Sequence, residues 1–532
     1  MKKFVSLLLV LTLCLACMSS VLAEDRVEEL TFPLTDEPFT LTFMVPFNAS
    51  NGVISDLNEQ ALYKRMEELT GIHIEHWTEN AGVQQFNLMQ ASGELPDMAF
   101  LKAIDLPGGV GAYMDDGTII DLSEIIEKYA PNLRRVFEEH PEWKKKMSLE
   151  DGRIFGIPKI KRDDILLNTQ GLQVRSDWLE RLGLEVPTTI DEWTQVFKAF
   201  KEQDANGDGD PNNEIPLSAI AFTTLGQERS FVGMFALGFG TSDTFYQMNG
   251  KVSFGPTDDS FYDLLCTLRD WYAAGYIDPD YLANDADIMG AKMTNNEVGA
   301  VGIQLNHGMA KYLAAWEKAG HTDYSLTAAP YPKAPDGNLY SNMVISDVGV
   351  VCLVVTSANK HPIETVQWFD YLFSDDGIIL YNYGIEGESF VYDENGEPKY
   401  TEEITNNPQG FAAATAIMKY NSAIGDFPGM QIGAAFTGTT RFPQQVAGYE
   451  TYRNNIGINL LNINHTPEES EYIGRYWGDL HTYCIESINK FIMGINPLNE
   501  ETFEEFRNTC KALHIDEITA MKQAAYDRSI EE

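Results

Sequence analysis

Apolar positions along the chain alternate between the spacing of β-strands and the spacing of α-helices. Residues 39–45 and 72–77 have the short apolar or alternating pattern of strands, and between them apolar residues recur at helical spacing over 62–69. The same order repeats with a helical stretch at 84–92 and a strand-like stretch at 96–101. This alternation predicts βαβ units and a mainly parallel sheet, which is an α/β fold.

The sequence near residue 189 predicts the start of a helix. Thr189 followed three residues later by Glu192 forms a capping-box pattern. Apolar side chains then recur at i, i+3, i+4 and i+7, namely Trp193, Val196, Phe197 and Phe200. This spacing predicts a helix with one buried face.

The amino-terminal segment has the layout of a secretory signal. Lys2 and Lys3 precede an apolar run that is too short to span a bilayer, and small residues lead to Ala23 before an acidic pair. We expect cleavage after Ala23, which removes residues 1–23, with lipid attachment at Cys17 as the alternative. Either outcome predicts an exported protein that works outside the cell or on its surface.

Net charge limits the expected binding partners of the protein, and chain length indicates how many domains it has. The chain carries 79 acidic and 38 basic residues, a formal net charge of -41, so nucleic acid and anionic membranes are not expected partners. The length left after the signal exceeds what one hydrophobic core usually holds, yet no linker or repeat divides it. We therefore expect two domains that are wound together by several chain crossings.

Four cysteines remain after the signal, which is too few for a disulfide scaffold in a chain of this length, and none forms a C-x-x-C pair. They are Cys266, Cys352, Cys484 and Cys510. We expect buried free thiols, and one disulfide among the four stays open as an alternative.

Four short stretches carry a family resemblance, in the same order along the chain. They are Ser-Gly-Glu-Leu-Pro-Asp at 92–97, Asp-Gly-Arg-Ile-Phe-Gly-Ile-Pro at 151–158, Arg-Ser-Asp-Trp-Leu-Glu-Arg-Leu-Gly-Leu at 175–184 and Tyr-Gly-Ile-Glu-Gly at 383–387. In these stretches the chain resembles the extracellular solute-binding proteins of carbohydrate ABC importers, within the calcium-loop subgroup of family 1 of the type 2 periplasmic-binding-protein fold.

The resemblance implies two interwoven α/β lobes, a hinge and a ligand cleft between them. It places lobe one at 36–160 and 325–385, and lobe two at 161–324 and 386–532. It also implies a monomer that binds an oligosaccharide or related sugar and delivers it to the membrane subunits of an ABC importer. An open α/β sheet agrees with this picture, because such sheets bind ligands at the carboxyl ends of their strands.

An acidic loop at 204–214 is the most informative local motif. Oxygen-bearing side chains occupy every second position from Asp204 to Asp210, and Gly209 stands sixth, as in loops that wrap a hard cation. The twelfth position is Ile215, not the Glu of an EF-hand. We predict a structural calcium site, with a solvated turn as the alternative. Its predicted ligands are Asp204, Asn206, Asp208, Asp210, Asn213 and Glu214.

Sugar sites combine flat aromatic rings with amides, carboxylates and arginine, and several stretches offer such side chains. Two pairs follow strands, and two pairs come from the family motifs. For Trp77 and Trp178 core packing is the competing interpretation. The candidate ligand-binding residues are Trp77, Asn80, Arg175, Trp178, Asn306, His307, Glu386 and Phe390.

A secreted enzyme, such as a polysaccharide lyase or a glycosidase, is the main rival. The chain has no H-E-x-x-H, G-x-S-x-G or P-loop sequence, and the S-x-x-K at Ser357 to Lys360 lacks its companion motifs. His73 and His76 fall on opposite faces of a strand, so they do not predict a zinc site. We expect no catalytic activity, and a surface sensor that binds sugar without an importer stays open. The identity of the sugar is not predicted.

Overall fold

The structure is a computed structural model. It describes residues 26–47, 52–210, 212–227, 229–321, 323–421, 423, 427–460, 463 and 465–530. The predicted signal segment, with its cleavage and lipidation positions, lies outside these residues. Among the residues described, no helix is both long and apolar enough to cross a membrane.

Sixteen short strands form the sheets and hairpins of the described chain. They are β1 (Phe39–Met44), β2 (Ile72–Trp77), β3 (Met98–Leu101), β4 (Ile157–Lys161), β5 (Gln170–Arg175), β6 (Ile215–Ser218), β7 (Phe245–Met248), β8 (Lys251–Phe254), β9 (Val298–Gln304), β10 (Leu326–Ala328), β11 (Tyr340–Ser341), β12 (Val348–Val355), β13 (Phe390–Tyr392), β14 (Pro398–Tyr400), β15 (Gly429–Gln431) and β16 (Ile456–Gly457).

The α-helices of the described chain surround these strands. They are α1 (Ala61–Thr70), α2 (Val83–Ser92), α3 (Gly109–Asp115), α4 (Ser123–Tyr129), α5 (Pro131–Glu139), α6 (Pro141–Lys146), α7 (Ser176–Leu182), α8 (Ile190–Glu202), α9 (Phe231–Ala236), α10 (Asp259–Ala273), α11 (Ala286–Thr294), α12 (Ala310–Lys318), α13 (Pro362–Asp370), α14 (Asp375–Tyr383), α15 (Glu402–Thr405), α16 (Ala413–Ala416), α17 (Gly433–Gly438), α18 (Pro443–Tyr452), α19 (Pro467–Ile492), α20 (Glu500–Ala512) and α21 (Ile515–Ile530).

The first lobe is built on a six-stranded sheet with the order β15-β4-β12-β3-β1-β2. All its strands run in one direction except β12, which is antiparallel to both of its neighbours. Asp97 ties two strands together, because its carboxylate accepts hydrogen bonds from the backbone and the hydroxyl of Thr42, both at 2.8 Å. Helices α1, α2, α5 and α13 bury their apolar faces against this sheet in one continuous core.

The second lobe is built on a four-stranded sheet with the order β10-β5-β9-β6. Its core joins this sheet to α8, α10 and α19. Aromatic rings dominate it: Trp271 meets Phe197 at 5.1 Å and Phe235 at 4.9 Å between ring centres, both edge to face. Helix α8 has the predicted capping box at Thr189 and Glu192 and buries the predicted apolar face, so that local prediction is confirmed.

The described chain passes between the lobes three times, through residues 162–169, 342–347 and 432–442. The predicted α/β fold with two interwoven lobes is confirmed. The predicted boundaries differ from the packing in two places. Residues 325–343 were assigned to lobe one, but β10 pairs with β5 and its side chains join the second core. Residues 386–431 were assigned to lobe two, but Ile417 and Tyr420 pack with Ala61 of the first lobe, and β15 pairs with β4 in the first core.

The four cysteines carry no disulfide in the structure, and their pairing in the exported protein stays a prediction. Cys352, Cys484 and Cys510 are buried, whereas Cys266 on α10 is half-buried.

Candidate functional site

Strands of both sheets end towards the segments where the chain crosses between the lobes. In the first sheet, the parallel strands β1 to β4 all end at the edge from which the chain crosses over. In the second sheet, Gln304 at the end of β9 pairs with Gln170 at the start of β5, and β6 runs parallel to β9. Both sheets therefore direct the loops after their strands towards the region between the lobes (the gap), and open α/β sheets bind ligands at this end of their strands.

The lobes also touch each other beside this gap. Helix α3 of the first lobe packs on α19 of the second, and the Arg528 guanidinium lies 3.2 Å from the Glu150 carboxylate. The contact places α19 next to the gap, where its side chains become candidates for the site.

Trp77 and Asn80 occupy the predicted position at the carboxyl end of β2. Trp77 is half-buried, and its indole N–H donates to the Glu75 carboxylate at 3.1 Å. Asn80 is exposed and has a φ of 53°, a left-handed conformation that asparagine tolerates better than most residues. The Trp77 ring packs partly against the first core, and the exposed Asn80 amide follows the end of the strand.

Asn306 follows β9 as predicted but is committed to internal hydrogen bonds. Its side-chain oxygen accepts from Gln445 at 3.0 Å and from the Tyr449 hydroxyl, and its amide donates to Thr439 at 3.5 Å. These bonds fasten the turn at Leu305–Met309 to α18. The side chain of His307 lies outside the described part of the structure.

Arg175 and Trp178 are packed inside the second lobe, so the structure does not support their predicted contact with a ligand. The Arg175 side chain is 2% exposed and Trp178 is fully buried. The guanidinium forms a two-point ion pair with Asp177 and lies 4.1 Å from the Tyr324 ring centre. The family motif at 175–178 therefore holds a core together.

Glu386 and Phe390 lie away from the gap. Glu386 is exposed at the rim of a separate groove of about 700 Å³, whose lining residues all come from 59–68, 371–390 and 419–420. Phe390 is 3% exposed and packs with Tyr383 and Ile432. None of the lining residues belongs to the second core, so this groove is a feature of the first lobe alone.

Arg229 is a candidate that the sequence did not reveal. It follows the loop after β6, has a left-handed backbone with φ 64°, and is half-buried near Tyr312. Its Nε atom has no hydrogen-bond partner, and no carboxylate pairs with its guanidinium among the described residues. A left-handed backbone and an unpaired cation are features that occur at binding sites. No motif marks them in the sequence.

His481 and Trp477, on α19, contact other parts of the second lobe. The His481 Nε2 atom accepts hydrogen bonds from the Thr224 hydroxyl at 2.9 Å and from the Leu225 backbone at 3.2 Å. This ties α19 to the loop after β6, and burial lowers the pKa of His481. Trp477 is half-buried against Phe245, with 5.6 Å between the ring centres.

The acidic loop at 204–214 folds around its own side chains. The Ala205 N–H donates to one oxygen of the buried Glu214 at 3.0 Å, and the Gly209 N–H donates to one oxygen of Asp204 at 3.0 Å. The other oxygen of each carboxylate is buried without a donor, and burial, with the Asp204 charge nearby, raises the pKa of Glu214. Two unpaired buried carboxylate oxygens are what a hard cation would satisfy.

The remaining predicted metal ligands form a side-chain network. The Asp208 carboxylate accepts from the amides of Asn213 at 2.7 Å and Asn206 at 3.2 Å, while Asp210 is exposed. Within the described chain, no three His, Cys, Asp or Glu side chains converge as a preformed metal group. The loop offers a cation two kinds of oxygen ligand: carboxylate oxygens from its Asp and Glu residues, and amide oxygens from Asn206 and Asn213.

Two α/β lobes, three crossings and a gap edged by aromatic and polar side chains define a class of ligand-capturing binding proteins. The model of the bacterial extracellular solute-binding protein family matches residues 55–379, which is more than half of the chain. The chain belongs to this family, and the resemblance in its sequence is confirmed.

Relatives extend the similarity over the whole chain. The fructooligosaccharide ABC transporter substrate-binding protein FusA of Streptococcus pneumoniae is 25% identical over 552 residues, covering 99% of this chain and 98% of FusA. The crystal structure of FusA with kestose has a TM-score of 0.73 at 24% identity and covers 92% of this chain and 99% of FusA. The alginate-binding protein AlgQ2 without calcium ion has a TM-score of 0.74 at 24% identity and covers 94% of this chain and 100% of its own.

Proposed function

We propose that this protein captures an oligosaccharide in the gap between its lobes and delivers it to the membrane subunits of an ABC importer. The observation that carries the proposal is that strands of both sheets end towards the region between the lobes, with Trp77 at the end of β2 and Arg229 in the segment between β6 and α9. The full-length similarity to FusA, named for fructooligosaccharides, supports a sugar as the ligand.

The chemistry of the gap suits a sugar. An aromatic ring can cover the apolar face of a pyranose or furanose, and an unpaired guanidinium donates several hydrogen bonds in a fixed fork to hydroxyl or carboxylate oxygens. A ligand held by both edges would draw the lobes together, since such folds close by hinge motion. Capture and release need no covalent step, and the relatives are named as binding proteins.

We also propose that the loop at 204–214 binds calcium in a structural role. The unpaired oxygens of Asp204 and Glu214 support it, and structures similar to this chain are described as AlgQ2 without calcium ion and as a FusA EF-hand mutant. When bound, the cation would supply charge to satisfy buried oxygens. The residues of this chain that would hold it are Asp204, Asn206, Asp208, Asp210, Asn213 and Glu214.

Export completes the proposal. The signal-like segment and the extracellular family support a protein that is released after cleavage at Ala23 or anchored through Cys17. The relative LipO of Bacillus subtilis is named as a lipoprotein, which keeps the anchored alternative open. We propose that the mature protein acts as a monomer.

Two site variants test the proposed gap once a ligand has been found by thermal-shift screening of oligosaccharides. Trp77→Ala and Arg229→Gln should each weaken binding at least about tenfold, since each removes more than about 1.4 kcal/mol of contact. Tyr392→Ala and Arg135→Gln, which alter exposed side chains of the first lobe, are matched controls and should bind like the parent. Parental affinity in both site variants would place the ligand elsewhere.

A further inference from the structure

Two thiols meet inside the second lobe. Cys484 lies on α19 and Cys510 on α20, and their Sγ atoms are 3.7 Å apart although 26 residues separate them along the chain. Both side chains are 0% exposed. Aromatic rings also join the same two helices in this core: Tyr483 stacks on Phe506 at 5.6 Å, and Phe491 lies 6.0 Å from Phe506.

The contact is close enough for a covalent bond after a small adjustment. A disulfide has an S–S length of about 2.05 Å, so the sulfur atoms would approach by roughly 1.7 Å, which side-chain rotation can provide if the Cβ atoms are suitably placed. The two other cysteines do not share this arrangement, because Cys352 lies in the first lobe and Cys266 on α10 is half-buried. The geometry therefore singles out one pair among the four.

Burial determines when such a bond would form. The hydrogen bond to Cys510, together with burial, raises the pKa of Cys484, so the folded protein holds this sulfur as an unreactive thiol. Oxidation would occur before the two helices close over the pair. Once formed, the bond would be shielded from small reductants.

We propose that Cys484 and Cys510 form a structural disulfide in the exported protein. A thiolate of the pair attacks the disulfide of a thiol–disulfide oxidoreductase and expels one of its sulfurs as a thiolate. The second cysteine thiolate then attacks the mixed disulfide, so the S–S bond forms and the oxidoreductase leaves as a dithiol that has accepted two electrons and two protons. Closure of the 26-residue loop fastens α20 to α19, the helix that also carries Trp477 and His481.

Peptide mapping tests the pairing directly. Secreted protein is unfolded in guanidinium with a maleimide and digested with trypsin without reduction. We expect peptide 476–490 linked to peptide 508–511, and two alkylated thiols per mature chain in place of four. Cys352→Ser should retain the linked peptide, and Cys484→Ser should lose it. Four alkylated thiols in parental protein secreted by cells with an active oxidoreductase would overturn the proposal, as would a link to Cys266 or Cys352.

A melting experiment separates the bond from simple packing. Oxidised parental protein should melt several degrees above Cys484→Ser, and the difference should largely vanish when both are unfolded in the presence of a strong dithiol. An equal difference under both conditions would show that the serine acts through packing and that no bond contributes.

Discussion

The Arg175 guanidinium and the Asp177 carboxylate face each other in a two-point ion pair, at 2.8 and 2.5 Å, inside the second lobe. The third guanidinium nitrogen donates to Asn296 at 2.5 Å, and the Tyr324 ring covers one face of the cation. Each of its three guanidinium nitrogens therefore has a hydrogen-bond acceptor within the protein. We therefore expect Arg175 to stabilise the fold, and we do not include it in the proposed ligand site.

Arg175→Met should lower the free energy of unfolding by about 3–5 kcal/mol, because it leaves Asp177 buried without its partner. Ligand affinity should stay within about twofold of the parent at a temperature where the variant is folded. Urea unfolding and calorimetry measure the two quantities. Arg453→Met, which breaks an exposed pair with Glu450, is the control and should cost less than about 1 kcal/mol. A variant of normal stability and poor affinity would return Arg175 to the site.

Calcium should stabilise the protein through Asp204 and Glu214. A chelator should lower the melting temperature and added calcium should restore it, by an amount that grows with calcium concentration as expected for binding to the folded state alone. Glu214→Gln and Asp208→Ala should lose most of this response. Asp336→Asn, in an exposed turn outside the loop, should keep it. A parental protein that melts identically in chelator and in calcium would rule the site out.

His76 should make the first lobe sensitive to acid. Its ring lies between Tyr63 and Phe43, both nitrogens lack hydrogen-bond partners, and burial lowers its pKa to about 4. The unfolded chain binds a proton near pH 6.5, so the free energy of unfolding falls as the pH drops below that value, by up to about 3 kcal/mol near pH 4.

His76→Leu should flatten this part of the pH dependence. Urea midpoints at several pH values between 7 and 4 measure the effect, and His73→Gln, on the opposite face of the same strand, is the matched control. An unchanged slope in His76→Leu would show that other groups carry the acid sensitivity.

The sequence predicted the fold well because local patterns determine it. Alternating periods indicated the α/β lobes, and the capping box at Thr189 located α8 correctly. Residues 325–343 were predicted in lobe one but pack in lobe two. The sequence of a strand as short as β10 does not indicate which sheet the strand joins. That depends on pairing with β5, far away in the chain.

The candidate site was less predictable than the fold. Trp77 and Asn80 were located correctly at and just after the end of a recognisable strand, and their contact with a ligand stays a prediction. Arg175 and Phe390 were predicted to contact a ligand because they lie in or next to family motifs, but both side chains are buried. A motif does not indicate whether a side chain is buried. Arg229 could not be proposed from the sequence, because its proposed role rests on a left-handed backbone and an unpaired Nε atom, which only the folded arrangement shows.

Isothermal titration of the purified mature protein with a panel of neutral and acidic oligosaccharides tests the central claim most directly, with the ligand recovered and identified afterwards by mass spectrometry. We predict saturable binding of at least one oligosaccharide at one site per chain, loss of at least about tenfold in affinity in Trp77→Ala and Arg229→Gln, and recovery of the sugar unchanged. Cleavage of the bound sugar, or the absence of binding across the panel by folded, calcium-loaded protein, would contradict the account.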